Sequence, residues 1–441
     1  LVLNIPIGDT FALRLNGGYV DTAGFIDQPA RYKRNSDGSP VLDNGSTDPI
    51  GDSANFFAGQ PVYESVDGVN DAETTSARLA ASWIPSDVLE LNLNYNYQED
   101  EVGGTQMNSY DQYGKDSLKN ATLIEEPFER DVDVLALDID FDMGFASFTA
   151  SASTYKSEGT GSRDLTGFYE QFSFWESYYG TSPRPLIEDI SSFKDEGDVF
   201  EARLVSQGNQ TLDWVVGLYY MDQDTDNSAR QFYYGYHDYS TSCFIETDTF
   251  GGAPCGLGTL FGLEETNGPV PIIKDLAYLT EQENEFTDRA VFGELTWHIT
   301  DRWQLTGGVR YYDQDFKTTQ VGGLMFAPDA VGSRTLKFDD SDSLFKFNTS
   351  YQIGDNTNIY AVWSEGFRRG GANGLPNEAF GFPVNQKAFL YKPDTTENIE
   401  LGIKGTLADN YQYTVALYDI QWDNLQSNLA CTGLGLLCVV N

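Results

Sequence analysis

The sequence predicts an all-β fold, a transmembrane antiparallel β-barrel with about fourteen strands in this chain. Three observations predict it: strands with alternating apolar and polar side chains, short turns that alternate with long connections, and aromatic residues near the strand ends. No helical period separates the strands. A soluble sandwich would have shorter strands, of about five or six residues, and less regular loop lengths.

The clearest strand lies at residues 89–98. One face carries apolar and aromatic residues, namely Leu89, Leu91, Leu93, Tyr95 and Tyr97. The other face carries polar residues, namely Glu90, Asn92, Asn94, Asn96 and Gln98. About ten such residues cross a bilayer at a tilt. A dry core could not satisfy the polar row, so the pattern predicts a wide and hydrated or plugged interior.

The same unit, two strands joined by a short turn, recurs about seven times along the chain. The short turns lie near residues 6–9, 84–88, 143–145, 208–213, 300–302, 354–357 and 407–410. The long connections span roughly residues 26–75, 99–131, 157–197, 223–288, 316–343 and 370–395. Short turns on one rim and long loops on the other are typical of outer-membrane barrels. We predict that the six long connections are extracellular.

The chain is strongly acidic: 27 Lys and Arg stand against 67 Asp and Glu, a net charge of −40. Such a charge argues against nucleic acid as a partner. No apolar run approaches the length of about 18 residues that a transmembrane helix needs. The predicted membrane partners are outer-membrane lipid and lipopolysaccharide, the latter reached through divalent ions bound by loop carboxylates.

The four cysteines fall in two close pairs, Cys243 with Cys255 and Cys431 with Cys438. Four cysteines allow three pairings, and the spacing alone does not choose among them. Both pairs lie in glycine-rich stretches, which suits local loop disulfides in an oxidising compartment. With two histidines in the chain, a zinc site is not predicted.

Residues 358–373 read N-I-Y-A-V-W-S-E-G-F-R-R-G-G-A-N. This stretch resembles a segment of TonB-dependent outer-membrane receptors. Residues 4–21, 212–220, 292–311 and 395–405 resemble other barrel strands of the same family, in the same order. The resemblance implies a barrel of about 22 strands closed by an N-terminal plug. Neither the plug nor its energy-coupling box is recognisable, so residues 1–441 are expected to be a partial barrel domain of a longer protein.

The resemblance also implies a function. A receptor of this family in the outer membrane of a Gram-negative bacterium would bind a scarce nutrient and import it with energy from TonB and its inner-membrane motor. The ligand would be a ferric siderophore, cobalamin or an oligosaccharide-like molecule. A passive diffusion channel of about fourteen strands is the alternative, and electrical conductance separates the two.

A barrel enzyme is the alternative of a different class. The two histidines are His237, in a tyrosine-rich loop, and His298, beside a short turn. Neither belongs to a recognisable nucleophile–histidine–carboxylate pattern. We therefore predict no catalytic residue.

Ligand contacts are predicted in the long loops, where flat rings with hydroxyl groups suit sugars or aromatic siderophore groups. The candidates are Tyr169, Phe172, Phe174, Trp175, Tyr178, Tyr233, Tyr236, Arg368 and Arg369. Packing of the loops against each other is the alternative for the rings. Anchoring of the rim is the alternative for Arg368 and Arg369.

No cofactor is predicted. Residues 43–48 read D-N-G-S-T-D, with oxygen ligands at a spacing that calcium loops use. A solvated loop tip is the other interpretation, and the sequence leaves calcium binding there as a possibility to test.

Overall fold

The structure is a computed structural model that describes residues 1–36, 38–43, 60–170, 186–208, 211–234, 275–324, 332–375, 378–379, 382–383, 385–408, 410–430 and 437–440. In chain order the strands are β1 (Val2–Ile7), β2 (Phe11–Thr22), β3 (Gln28–Tyr32), β4 (Tyr63–Val66), β5 (Ala72–Ser86), β6 (Leu89–Val102), β7 (Phe128–Asp142), β8 (Ala146–Asp164), β9 (Ile187–Ser206), β10 (Leu212–Tyr233), β11 (Leu276–Thr300), β12 (Trp303–Leu324), β13 (Gly332–Ile353), β14 (Thr357–Arg368), β15 (Gly371–Ala372), β16 (Glu378–Ala379), β17 (Phe382–Pro383), β18 (Leu390–Tyr391), β19 (Asp394–Leu407), β20 (Tyr411–Asp423), β21 (Ser427–Ala430) and β22 (Leu437–Val440). Two short helices, α1 (Tyr110–Tyr113) and α2 (Thr166–Glu170), and a 3₁₀ turn (Gln386–Ala388) lie in the connections.

Among these residues, 14 strands form one antiparallel sheet in the order β1-β2-β5-β6-β7-β8-β9-β10-β11-β12-β13-β14-β19-β20. The pairs β3–β4, β15–β18, β16–β17 and β21–β22 form four small two-stranded sheets. Neighbours in the large sheet are mostly neighbours in sequence, which is the up-and-down order of barrel walls. The predicted all-β fold is confirmed. None of the helices in this part of the chain has the length and apolar character that crossing a membrane requires.

The predicted short turns are confirmed, because each of them joins two paired strands of the large sheet. Glycine allows several of these turns to be tight. Gly144 has φ +83° and its amide donates to the Asp142 side chain at 2.7 Å, and Gly354 has φ +60°. Positive φ is inexpensive for glycine, so these positions reverse the chain within a few residues.

The predicted loop ranges need correction, mostly because the strands extend into them. The connections between large-sheet strands run from 23 to 71, 103 to 127, 165 to 186, 234 to 275, 325 to 331 and 369 to 393. β10, for example, extends to Tyr233, about ten residues beyond the predicted loop start. In residues 222–228 of β10, for example, both faces of the sheet are polar, so the apolar alternation that marks a strand disappears there although the backbone pairing continues.

The two faces of the sheet differ in the lower part of each strand, near the short turns. On β11 the outer face carries Val291, Leu295 and Trp297, all about half exposed, and the inner face carries Glu294, Thr296 and His298. Above Val291 the outer face becomes charged, as in the ion pairs of Arg289 with Asp313 and Asp315. An exposed apolar band of this kind is what a lipid-facing wall presents.

β14 leaves the plane of the sheet at its upper end. It pairs with β13 only as far as Ser364, whereas its pairing with β19 continues to Arg368. Above Ser364, β14 separates from β13, and Phe367 stacks on Tyr312 of β12 with the ring centroids 4.2 Å apart. The chain that follows β14 therefore starts on the inner face of the sheet.

The described residues between 369 and 391 are here called the inward segment, and several of them lie against the inner faces of β10–β13. Gly374 lies against Thr280 of β11, and Leu375 and Phe389 pack with Leu336 of β13. The Asn373 side chain ties the segment to itself and to β22, since its amide group donates to the carbonyl oxygens of Ala388 and Val439, at 2.8 Å each. The predicted loop 370–395 thus covers part of the wall from inside.

Candidate functional site

The two adjacent arginines at the end of β14 have different environments. Arg368 pairs with the buried Asp394 at 2.5 Å and donates to the Gln426 carbonyl oxygen at 3.1 Å. Burial raises the pKa of Asp394, but hydrogen bonds from Arg368 and the Gln426 amide outweigh it, and the net pKa lies below its ordinary value. Arg368 therefore joins β14, β19 and the chain after β20 in this structure. These contacts favour the interpretation of Arg368 as an anchor of the rim.

Arg369 lies on the inner face. Its Nη1 donates to Oε1 of Gln223 on β10 at 2.9 Å, and its guanidinium lies 4.4 Å from the centre of the Phe286 ring on β11. Among the described residues no carboxylate forms an ion pair with it. A guanidinium held by an amide and an aromatic face keeps its charge available to a ligand.

Neighbouring strands orient the Gln223 side chain. Its Nε2 donates to Oδ1 of Asp195 on β9 at 2.8 Å, and the same oxygen accepts the Tyr155 hydroxyl of β8 at 3.0 Å. Because Nε2 is committed to Asp195, the carbonyl oxygen Oε1 faces Arg369. The chain of hydrogen bonds thus runs from β8 across β9 and β10 to Arg369.

A small cavity of about 110 Å³ lies beside this arginine. Its lining is Gln223, Thr225, Gln282, Asn284, Phe286, Phe316, Arg369, Gly370, Gly371, Ala372 and Tyr391. Rings, amide groups, hydroxyls and one cation line it together. Such a surface can stack on flat groups, hydrogen-bond polar atoms and neutralise an anion, which are the interactions of a ligand-binding wall.

A second polar cluster joins the long connections. Glu188, at the start of β9, accepts hydrogen bonds from Ser162 at 2.6 Å and Tyr234 at 2.5 Å, and it forms an ion pair with Arg34. Burial raises the pKa of Glu188, but hydrogen bonds from Arg34, Ser162 and Tyr234 prevail and lower it overall. Burial and the bond to Glu188 raise the pKa of Tyr234. We call these four residues the Glu188 cluster.

The apolar residues beside this cluster come from the same connections. Tyr32, Ile124 and Leu186 are buried together, with Tyr234 packed against them. Gln28 is also buried, and its Nε2 donates to the carbonyl oxygens of Thr122 and Ile124. The described parts of the first four long connections therefore form one packed unit above the sheet.

Several of the predicted ligand-contact residues lie outside the described residues, namely Phe172, Phe174, Trp175, Tyr178 and Tyr236. Tyr169 lies in α2, and its side chain is outside the described part as well. Tyr233, the last residue of β10, is 1% exposed, so a ligand would reach it only after its neighbours move. Of the two predicted arginines, Arg369 faces the inner cavity and Arg368 faces Asp394.

The structure adds inner-face residues that the sequence reasoning did not single out, chiefly Gln223, Phe286 and Phe316. In β10–β12 every second residue faces inward. Continuing this alternation from the half of each strand near the short turns to the half near the long connections would have placed these three residues on the inner face. The approach of Arg369 to them depends on the inward turn of β14, for which the sequence shows no local signal.

The predicted disulfides and calcium loop are only partly described. Cys438 in β22 is disulfide-bonded and 4% exposed, while Cys243, Cys255 and Cys431 lie outside the described residues. Of the calcium-like stretch 43–48 only Asp43 is described, and its carboxylate accepts the Gln60 amide at 2.9 Å. Within the described ranges no group of three or more His, Cys, Asp or Glu side chains is placed to hold a metal ion.

Comparison with known proteins identifies relatives of the chain. The pesticin receptors of Yersinia enterocolitica and Yersinia pestis are each 28% identical over 140 residues, 32% of this chain and 19% of theirs. The ferric yersiniabactin uptake receptor of Yersinia pestis matches in structure with a TM-score of 0.65 and 14% identity, covering 96% of this chain and 52% of that one. The closed form of the ferric-catecholate import receptor of E. coli K12 matches with a TM-score of 0.56 and 14% identity, covering 100% of this chain and 57% of that one.

The chain thus spans about half the length of these solved structures. At 14% identity they show a shared fold. The family assignment comes from the family model for the TonB dependent receptor-like β-barrel, which matches residues 9–438. That match covers nearly the whole sheet and includes the inward segment. The family is one of transporters and receptors, found in the outer membrane of Gram-negative bacteria. The chain belongs to the TonB-dependent receptor β-barrel family.

Proposed function

We propose that the whole protein is an outer-membrane receptor that binds a ferric siderophore and imports it with energy from TonB. The family match over residues 9–438 is the observation that carries this proposal. The solved relatives described above are receptors for ferric yersiniabactin and ferric catecholates, which favours a ferric siderophore over cobalamin or an oligosaccharide. The protein does no chemistry on the ligand in this proposal.

The inner wall around Arg369 is the part of this chain that contacts the ligand in the proposal. Ferric siderophore complexes present oxygen atoms, flat groups and often negative charge, and Arg369 with Phe286 and Phe316 offers a cation beside two rings. TonB would act through the plug that the family resemblance implies. The exposed apolar outer face would contact lipid, and the charged outer face above it would contact lipopolysaccharide through divalent ions.

Replacement of Arg369 by alanine is expected to weaken ligand binding about tenfold, because one charge-assisted hydrogen bond is lost. Binding is measured on cells held at ice temperature, where attachment is separated from transport. The probe is radioactive iron equilibrated with the siderophores in spent medium of the iron-starved source bacterium.

The matched control is Arg289→Ala, which removes the same side chain from the outer face, where Arg289 pairs with Asp313 and Asp315. This control should bind as the wild type does. Equal affinity of wild type and Arg369→Ala would contradict the role of Arg369. No binding of the iron probe by wild-type cells would contradict a ferric siderophore as the ligand.

A further inference from the structure

A group of buried polar atoms that have no partner among the described residues lies beneath the inward segment. On β12, Gln320 is 2% exposed and Thr318 is fully buried, and in the described part of the chain neither the Gln320 amide nor the Thr318 hydroxyl has a hydrogen-bond partner. On β13, Nε and Nη1 of Arg334 are also buried and lack a partner within the described ranges. Gln320 is the register partner of Arg334, so these side chains are direct neighbours on the inner face.

The cover over these atoms is well packed and apolar. The Arg334 guanidinium lies over the Phe389 ring, with Cζ 3.6 Å from the ring centre. Leu375, Ala388 and Cys438 join Phe389 in a buried cluster that also touches Leu336, two residues after Arg334. The cover thus excludes water from one side of the guanidinium without supplying a hydrogen bond to it.

The unpartnered set consists mainly of donors. Nε and Nη1 of Arg334, Nε2 of Gln320 and the Thr318 hydroxyl can all donate, whereas Oε1 of Gln320 is the single atom that only accepts. Burial alone lowers the pKa of Arg334 to about 10, and no carboxylate contributes to the shift. Among the described residues Arg334 forms no ion pair, which is unusual for a cation with buried nitrogen atoms in a chain of net charge −40.

Leaving such atoms unsatisfied is costly, since buried polar groups are nearly always paired. Apolar side chains of similar size would pack under the same cover without that cost. A ligand that only accepts hydrogen bonds and carries negative charge satisfies the donors and the guanidinium at once. We propose that Arg334, Gln320 and Thr318 form a binding site for a small oxyanion, of the phosphate or carboxylate class, between the wall and the inward segment.

The bound oxyanion would favour the closed position of the cover, because it removes the cost of burying the unpaired donors of Thr318, Gln320 and Arg334 beneath it. The donors are enclosed in this conformation, so the cover must move for the anion to enter. Binding is therefore expected to slow the opening of the inward segment. The site is separate from the import function proposed above and does not depend on it, since its ligand is a small anion and its readout is binding.

The test is a titration of the purified protein in detergent with inorganic phosphate, at constant ionic strength set with chloride. Wild-type protein should show saturable binding by calorimetry and slower amide hydrogen exchange at residues 385–391 with phosphate. Arg334→Gln should bind phosphate at least about tenfold more weakly, because a charge-assisted donor is lost. A parallel titration with acetate distinguishes a site for phosphate from one for carboxylate.

The matched control is Lys337→Gln, which makes the same charge change on the outer face of β13 and should leave phosphate binding unchanged. Gln320→Met is a second variant, which removes two of the unpartnered atoms without altering charge, and it should also bind more weakly. It covers the case in which Arg334→Gln does not fold. Absence of saturable binding of both anions by the wild type, or affinities in both variants equal to the wild type, would overturn the proposal.

Discussion

Replacement of Glu188 by alanine is expected to lower the free energy of local unfolding of the packed unit, formed by the first four long connections, by about 3 kcal/mol. Glu188 is 5% exposed and accepts hydrogen bonds from Ser162, Tyr234 and Arg34. Its removal leaves two hydroxyl groups and a guanidinium without their shared acceptor in a buried place. This loss of stability is at the lower end of the range expected for breaking a buried ion pair, because Arg34 is partly exposed and becomes hydrated when Glu188 is removed.

The effect is local, so the measurement is amide hydrogen exchange rather than global unfolding. The amide of Tyr32, which donates to the Leu123 carbonyl oxygen at 2.7 Å, should exchange roughly a hundredfold faster in Glu188→Ala. Glu158→Ala is the control, because Glu158 is exposed and, among the described residues, its side chain pairs with Lys156 two positions away on the same strand. Unchanged protection of Tyr32 in Glu188→Ala would contradict the role of the cluster.

The same cluster has a pH dependence whose sign follows from Glu188. Its pKa is lower in the folded protein than in an unfolded chain, where a glutamate titrates at about 4.3. A lowered carboxyl pKa contributes stability that is complete above the unfolded value and is lost as the pH falls through the folded value. Protection of Tyr32, corrected for intrinsic exchange rates, should therefore be constant at neutral pH and fall only below the ordinary glutamate range.

Replacement of Asp394 by alanine has the second largest expected effect. It should lower the free energy of local unfolding at the rim by about 2 kcal/mol. Asp394 is 1% exposed and accepts hydrogen bonds from Arg368 at 2.5 Å and from the Gln426 amide at 3.0 Å. The cost is smaller than for Glu188 because the Arg368 side chain is half exposed and becomes hydrated when its partner is lost. The Gln426 amide loses its acceptor and should lose its exchange protection.

Asp313→Ala provides the control for the rim, since Asp313 pairs with Arg289 at an exposed site. It should leave the Gln426 amide protected. Asp394→Ala can also be compared with Arg369→Ala in the iron-probe assay, because Gln426 connects the two places: its side chain donates to the Arg369 carbonyl oxygen. We assign Arg368 and Asp394 to anchoring and Arg369 to ligand contact. This assignment would be contradicted if Asp394→Ala weakened iron-probe binding as strongly as Arg369→Ala while the Gln426 amide stayed protected.

The sequence predicts the part of the sheet near the short turns well. There one face of the wall is apolar and the other is polar, so apolar and polar residues alternate along each strand. In β6, Leu89 to Tyr97 alternate with Glu90 to Gln98, and the strand lies where that pattern indicates. The upper parts are not predicted, since residues such as Asp222, Asp224 and Asp226 in β10 carry no apolar face while their backbone remains paired. Pairing there depends on the neighbouring strands.

Part of the candidate site can be predicted from the sequence, for a comparable reason. The resemblance of residues 358–373 directs attention to Arg368 and Arg369, yet it does not distinguish their surroundings. That difference depends on the parting of β14 from β13 above Ser364, which places Arg369 beside Gln223 and Phe286. It is a tertiary feature with no local pattern. The aromatic loop residues Trp175 and Tyr236 remain predictions.

The most direct measurement of the central claim is energised uptake. Cells of the source bacterium that carry or lack this gene are supplied with the radioactive iron–siderophore probe, in backgrounds with and without TonB. We predict that accumulation requires both the gene and TonB, and that removing TonB leaves surface binding intact. Accumulation that depends on the gene but is equal with and without TonB would show a passive channel and contradict the account.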